Sequence, residues 1–153
     1  MKGYLTVLKK YAAFGGRASF NEFWGFYFIN LLFYFGLKYI DKIIGGVNEN
    51  GYGLLANVYS LAILIPSIAV TVRRLHDIGL SGWWIITLYV PAIGLVLLIF
   101  LMGQGVDQLI GIDIGKVLDK VLVLVGIVTA AFFVSMTRKS QTGVNQYGVK
   151  PEP

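Results

Sequence analysis

The sequence predicts an all-α membrane protein, a polytopic helical bundle of about four transmembrane helices preceded by an N-terminal amphipathic helix at the interface. Three observations predict it. Hydrophobic residues make up 56% of the 153-residue chain and charged residues only 14%, against about 25% charged in soluble domains. A water-soluble fold this small leaves too much surface exposed to hide that apolar content, and lipid removes the conflict. Four segments approach the roughly 20 apolar residues that cross a hydrocarbon core. The basic residues between these segments are unevenly distributed.

Taken in order, the first span covers residues 23–40, broken by Asn30 and by Lys38 near its end. Ser19 and Glu22 form an S-x-x-E capping box that opens it, and Trp24 and Tyr27 suit the interface. The second span, residues 54–72, and the third, residues 83–102, carry no charge. Pro66 and Pro91 interrupt them, each freeing one carbonyl, that of Ala62 and that of Thr87. The fourth span is read from 114 to 136, with Lys116, Asp119 and Lys120 near the interface, where lysine stems snorkel to water. Asn48–Gly53 is a turn-rich connection. The length fits one integral domain, 1–153, with a tail at 137–153.

Ahead of the first span, Tyr4, Leu5, Leu8 and Tyr11 recur at helical spacing beside Lys2, Lys9 and Lys10. This pattern fits a short amphipathic helix in the headgroup layer, attracted to anionic lipid. Gly15-Gly16 breaks it. The N-terminal stretch lacks the features of a cleaved signal, so the first span is expected to serve as the insertion signal.

Charge sets the expected orientation. With both termini cytoplasmic, the inner segments hold nine basic residues: Lys2, Lys9, Lys10, Arg17, Arg73, Arg74, Arg138, Lys139 and Lys150. The outer loops hold four: Lys38, Lys42, Lys116 and Lys120. The positive-inside rule favours this arrangement. It also accounts for the net charge of +5 without nucleic-acid binding, which is not expected.

The most distinctive stretch runs from Arg73-Arg74-Leu75-His76-Asp77-Ile78-Gly79 through Ser81-Gly82-Trp83-Trp84. Arg73 and Asp77 stand four apart, a spacing that allows an ion pair on a helix. Gly79 suits the left-handed residue that ends a helix, and Ser81 suits the cap of the next. Trp83 and Trp84 suit an interfacial anchor. A helical hairpin with a tight cytoplasmic turn is expected.

These residues resemble those of the bacterial inner-membrane family called domain of unknown function 805. The likeness rests on Gly16-Arg17-Ala18 through Glu22-Phe23-Trp24, on the Arg73–Trp84 motif, and on Pro91 with Ile93-Gly94. The tail adds Gly143-x-Asn145-x-Tyr147-Gly148 and Pro151. The resemblance implies an integral inner-membrane protein and supplies no catalytic residues. Two departures stand out. Phe20 occupies a position where family members often have arginine. Residues 103–137, containing the fourth apolar segment, separate the third span from the tail motif, which usually follows that span closely.

Several function classes are disfavoured directly. The chain has no cysteine and one histidine, which excludes disulfides, thiolate metal sites and multi-histidine metal sites. No cofactor is expected. His76 and Asp77 are adjacent, so on a helix they point about 100° apart, and no nucleophile accompanies them. No ionisable residue lies centrally in a span, as ion-coupled carriers usually require. Asn30, Asn57, Ser60, Ser67 and Thr129 read as helix–helix contacts, and Gly126 with Ala130 as a close-packing pair. The favoured function is a non-enzymatic inner-membrane protein contacting anionic lipid, or a membrane protein partner or a second copy of itself, through its cytoplasmic basic face. Lys9, Lys10, Arg17, Arg73, Arg74 and His76 are the candidate contacts, since guanidinium matches phosphate in bidentate geometry. A small channel or transport subunit is the alternative, and a lipid-modifying enzyme the third reading.

Overall fold

The structure is a computed structural model and describes residues 2–47, 53–104 and 113–151. Among these the architecture is helical throughout: α1 (Lys2–Lys9), α2 (Phe20–Ile43), α3 (Leu54–Asp77), a 3₁₀ turn (Gly82–Ile85), α4 (Ile86–Gly103) and α5 (Ile114–Met136). Among the described residues three helical stretches are long and apolar enough to cross a membrane: Leu54–Asp77, Gly82–Gly103 and Gly115–Met136. Helix α2 has 24 residues, about 36 Å at 1.5 Å per residue, which exceeds the hydrocarbon thickness of about 30 Å. Its tyrosines, Asn30 and its charged last turn keep it outside those three.

The chain divides into two compact units, residues 1–82 with 139–153, and residues 83–138. In the first, α1 packs against α2 and α3, and α2 packs along α3. The capping box at the start of α2 forms as expected. The Ser19 hydroxyl accepts from the Glu22 amide and the Glu22 carboxylate accepts from the Ser19 amide, both at 3.2 Å. The helix accordingly begins at Phe20, three residues before the expected start.

Helix α1 is more than a surface float. Val7 is fully buried, and the Tyr4 ring stacks on Phe26 and Phe33 of α2. Gly3 lies so close to α2 that an added Cβ would stand 3.3 Å from the Glu22 Cα. Just beyond α1, the Tyr11 hydroxyl donates to the Ala62 carbonyl, the group that Pro66 deprives of its helical donor.

Asp41, near the end of α2, accepts from the amides of Leu55 and Ala56 at 3.0 and 2.9 Å. Helix α3 has Gly53 at its N-cap with no side-chain cap of its own, so a residue of α2 supplies the missing acceptor. Gly53 has to be glycine because its Cβ would collide with the Asp41 side chain. Further along the pair, the buried Asn30 donates to the Phe26 carbonyl at 2.7 Å and accepts from the Tyr59 hydroxyl. The expected turn over Asn48–Gly53 falls outside the described residues except for Gly53.

In the second unit α4 and α5 pack on each other. Trp83 and Trp84 are exposed. Asp113 caps α5 by accepting from the Lys116 amide and also pairs with its ammonium at 3.1 Å. Ser81 does not cap an α-helix directly. The chain enters the 3₁₀ turn at Gly82, and α4 starts after Ile85 without a side-chain cap.

Candidate functional site

Three separate stretches of the first unit meet at the C-terminal end of α3: the segment ahead of α2, the end of α3, and the tail from Lys139. Gly79 makes the meeting possible. The Leu80 amide bonds to the Leu75 carbonyl at 2.9 Å and the Gly79 amide to the His76 carbonyl at 3.1 Å. This is a Schellman close, with Gly79 at φ +84°, a conformation side chains with a Cβ resist. A Cβ there would also strike the Gln141 side chain.

Arg17 is the hub. Its Nε donates to Asp77 Oδ1 at 3.0 Å, and its Nη2 lies 2.9 Å from the same oxygen. Nη1 donates to the carbonyls of Gly143 and Gly148 at 2.8 and 3.3 Å, and Nη2 to that of Gln141 at 2.6 Å. A planar guanidinium with five donors can serve this many acceptors at once, and an ammonium cannot.

Asp77 is shared. Arg74 Nη1 pairs with Asp77 Oδ2, and the Ser140 hydroxyl donates to the same oxygen. The side chains of Arg17, Arg74 and Asp77 are all 0% exposed. The expected Arg73–Asp77 pair does not form. Arg73 turns the other way, with Nη1 3.6 Å from Glu22 Oε1. Both i+3 and i+4 spacings are open to a helical ion pair. Glu22, held in place by its capping bond to Ser19, takes Arg73 and leaves Asp77 to Arg74.

The backbone is tied in too. The Ala18 amide donates to the Arg73 carbonyl at 3.0 Å and the Gln141 amide to the Asp77 carbonyl at 3.0 Å. His76 faces the Gly16 carbonyl through Nδ1 at 3.1 Å. A carbonyl only accepts, so Nδ1 carries the proton. The His76 ring lies flat on the Tyr147 ring, centroids 3.7 Å apart and planes within 5°. Asn145 Nδ2 donates to the His76 carbonyl at 2.9 Å, and Asn145 and Gly148 exchange both backbone bonds in a tight turn. A Cβ on Gly82 would stand 2.8 Å from Val72 Cγ1 and 3.3 Å from His76 Nε2, which explains the glycine after Ser81.

The candidate residues therefore separate into two groups. Arg17, Arg73, Arg74 and His76 are buried and turned inward, whereas Lys9 and Lys10 are exposed. Asn145, Tyr147 and Gly148 join the arginines. Asp77 is the carboxylate that organises them, a role its sequence position beside His76 did not reveal. Ser140 and Gln141 were missed altogether, because neither residue type nor spacing marks a tail serine or glutamine as a partner of an aspartate 63 or more positions earlier. An open cleft of about 200 Å³ adjoins the cluster, lined by Ser19, Phe20, Asn21, Ser140, Lys150 and Pro151. Among the described residues no group of three or more histidine, cysteine, aspartate or glutamate side chains is placed to hold a metal ion.

Comparison with known proteins gives a consistent picture. The family model described as protein of unknown function (DUF805) matches residues 11–109. The inner membrane protein YhaH of Escherichia coli (strain K12) is 41% identical over 106 residues, covering 69% of this chain and 88% of its own length. The inner membrane protein YhaI of the same organism is 42% identical over 106 residues, covering 69% of this chain and 86% of its own length. No solved structure matches.

Proposed function

The chain belongs to the family described as protein of unknown function (DUF805), and we propose that it is a non-catalytic, four-span inner-membrane protein that contacts anionic lipid through an exposed basic rim at its cytoplasmic end. That it is an integral inner-membrane protein follows from its membrane-length apolar helices and from its relatives. The number of crossings, the orientation and the lipid contact are our reading.

The tail carries the topology. The chain leaves the first unit after Gly82 and returns to it at Lys139, where Gln141 binds the Asp77 carbonyl. Departure and return lie at the same end of α3. An even number of crossings between them satisfies this, and α4 and α5 supply two. The same end of α3 also binds Ala18 ahead of α2, so α2 and α3 make the other two. All four arginines then fall on the cytoplasmic side of the membrane.

The lipid contact rests on α1. Its inner side buries Val7, while Leu5 on the helix and Phe14 in the segment after it are exposed together with Lys9 and Lys10. Exposed apolar and aromatic groups beside lysine are what an interfacial helix presents to headgroups. Lys139 and Lys150 of the tail are exposed as well. Each basic residue near an anionic surface is worth about 1 kcal/mol, screened within a Debye length. Replacing Lys9 and Lys10 with glutamine should reduce phosphatidylglycerol retained by the purified protein several-fold at low salt and little at high salt, as counted by native mass spectrometry. Unchanged retention at low salt would reject the basic rim.

A further inference from the structure

We propose that a water molecule binds between the Glu22 carboxylate and the Arg73 guanidinium and completes the ion pair that joins the start of α2 to the end of α3. The inference stands apart from the lipid-contacting reading above, because neither side chain belongs to the exposed rim.

The two charges are close but not joined. Arg73 Nη1 lies 3.6 Å from Glu22 Oε1, beyond hydrogen-bond length. Both Nη atoms of Arg73 and Oε1 of Glu22 are buried and make no hydrogen bond within the protein. The side chains are 1% and 12% exposed. Arg17 makes the contrast, since both of its Nη atoms find carbonyl acceptors. Buried polar groups are as a rule hydrogen-bonded, and a charged group left without a partner is the most costly kind.

Neither partner is free to close the gap. Glu22 Oε2 accepts from the Ser19 amide, and the Glu22 amide donates to the Ser19 hydroxyl, both at 3.2 Å. The capping box thereby fixes the carboxylate. Gly3 of α1 presses on the same residue, so closely that an added Cβ would stand 3.3 Å from the Glu22 Cα. On the other side, Arg73 Nε donates to the Ala69 carbonyl at 3.4 Å, one turn back along α3. The Arg73 carbonyl is held by the Ala18 amide at 3.0 Å.

The chemistry selects the ligand. A guanidinium only donates and an ionised carboxylate only accepts, so the molecule between them must do both. An anion would answer Arg73 and be repelled by Glu22, and a cation would meet the reverse. The pair is neutral as a whole, which suits a neutral ligand. Internal waters typically make about three hydrogen bonds to buried groups that are otherwise unsatisfied. Three such atoms converge here: Nη1, Nη2 and Oε1. The narrow exposed margin of Glu22 is the point of entry and is of a size for water. Hydrated in this way, both groups keep their charge between packed helices.

The test uses the whole chain in phosphatidylcholine bilayers, labelled with carbon-13 and nitrogen-15 and assigned through its backbone. Solid-state NMR then follows magnetisation passing from water protons to each guanidinium. Arg17 is the internal control. Its side chain is 0% exposed, and its acceptors are a carboxylate and main-chain carbonyls, which carry no exchangeable proton. Transfer to the Arg73 guanidinium should build up several-fold faster than transfer to Arg17. Build-up at Arg73 as slow as at Arg17 overturns the bound water. Equally fast build-up at both overturns it too, because solvent would then reach the whole cluster rather than one site.

Discussion

The Tyr11 hydroxyl donates to the Ala62 carbonyl across 51 positions of sequence, and this bond repairs the gap that Pro66 opens in α3. An unmatched carbonyl inside an apolar environment is costly, so the N-terminal segment and the proline-containing helix depend on each other. Tyr11→Phe should destabilise the protein by about 1 kcal/mol, the usual net value of one hydrogen bond. Pro66→Ala restores the helical donor, so Tyr11→Phe should cost markedly less in that background. Denaturant midpoints of the four proteins in detergent form the cycle, and strictly additive effects would contradict the link.

Gly79→Val places a β-branched residue at positive φ and drives a methyl into Gln141. The strain alone is worth about 1–3 kcal/mol. Gly94→Val is the control, since a Cβ at Gly94 meets nothing within 4 Å. A comparable loss at both positions would mean that the turn after α3 is not closed as described.

Asp41 caps a helix to which it does not belong. Asp41→Ala leaves the Leu55 and Ala56 amides without the acceptor they use, and the loss of such a cap costs about 0.5–2 kcal/mol. Hydrogen exchange should rise at the start of α3 and stay unchanged at its end. Uniform loss of protection along α3 would place the role of Asp41 elsewhere.

What was legible in the sequence was local. The capping box of Ser19 and Glu22 and the helix-ending Gly79 follow from spacings of a few residues, and both form as read. The arginine cluster was legible as a cluster but not as a pairing. Arg73 and Arg74 each stand within helical reach of Asp77, and the choice between them is made by Glu22, some fifty positions earlier. Asp41 on α3, Tyr11 on Ala62 and Arg17 on the tail were not legible, because each depends on a neighbour that only the tertiary fold delivers. The arginines read as outward-facing headgroup contacts turn inward for the same reason: Asp77 and the tail carbonyls are closer partners than the solvent.

Asp77→Asn should be among the most damaging single changes. It leaves Arg17 and Arg74 buried together without their carboxylate, and breaking a buried pair in this way costs about 3–5 kcal/mol. Glu22→Gln, at a looser 3.6 Å pair, should cost less. If Asp77→Asn leaves the denaturant midpoint in place, the cluster does not hold the end of α3.

The most direct measurement is the membrane side of the tail relative to the segment ahead of α2. The chain has no native cysteine, so single cysteines at the exposed positions Ala13, Gln104 and Thr142 each report one location. With an impermeant thiol reagent on intact cells, Gln104→Cys should label, while Ala13→Cys and Thr142→Cys should label only after lysis, because Arg17 and the tail meet and the proposed orientation puts both on the cytoplasmic side. Labelling of Thr142→Cys from outside while Ala13→Cys stays protected would place the tail across the membrane from Arg17 and contradict the account.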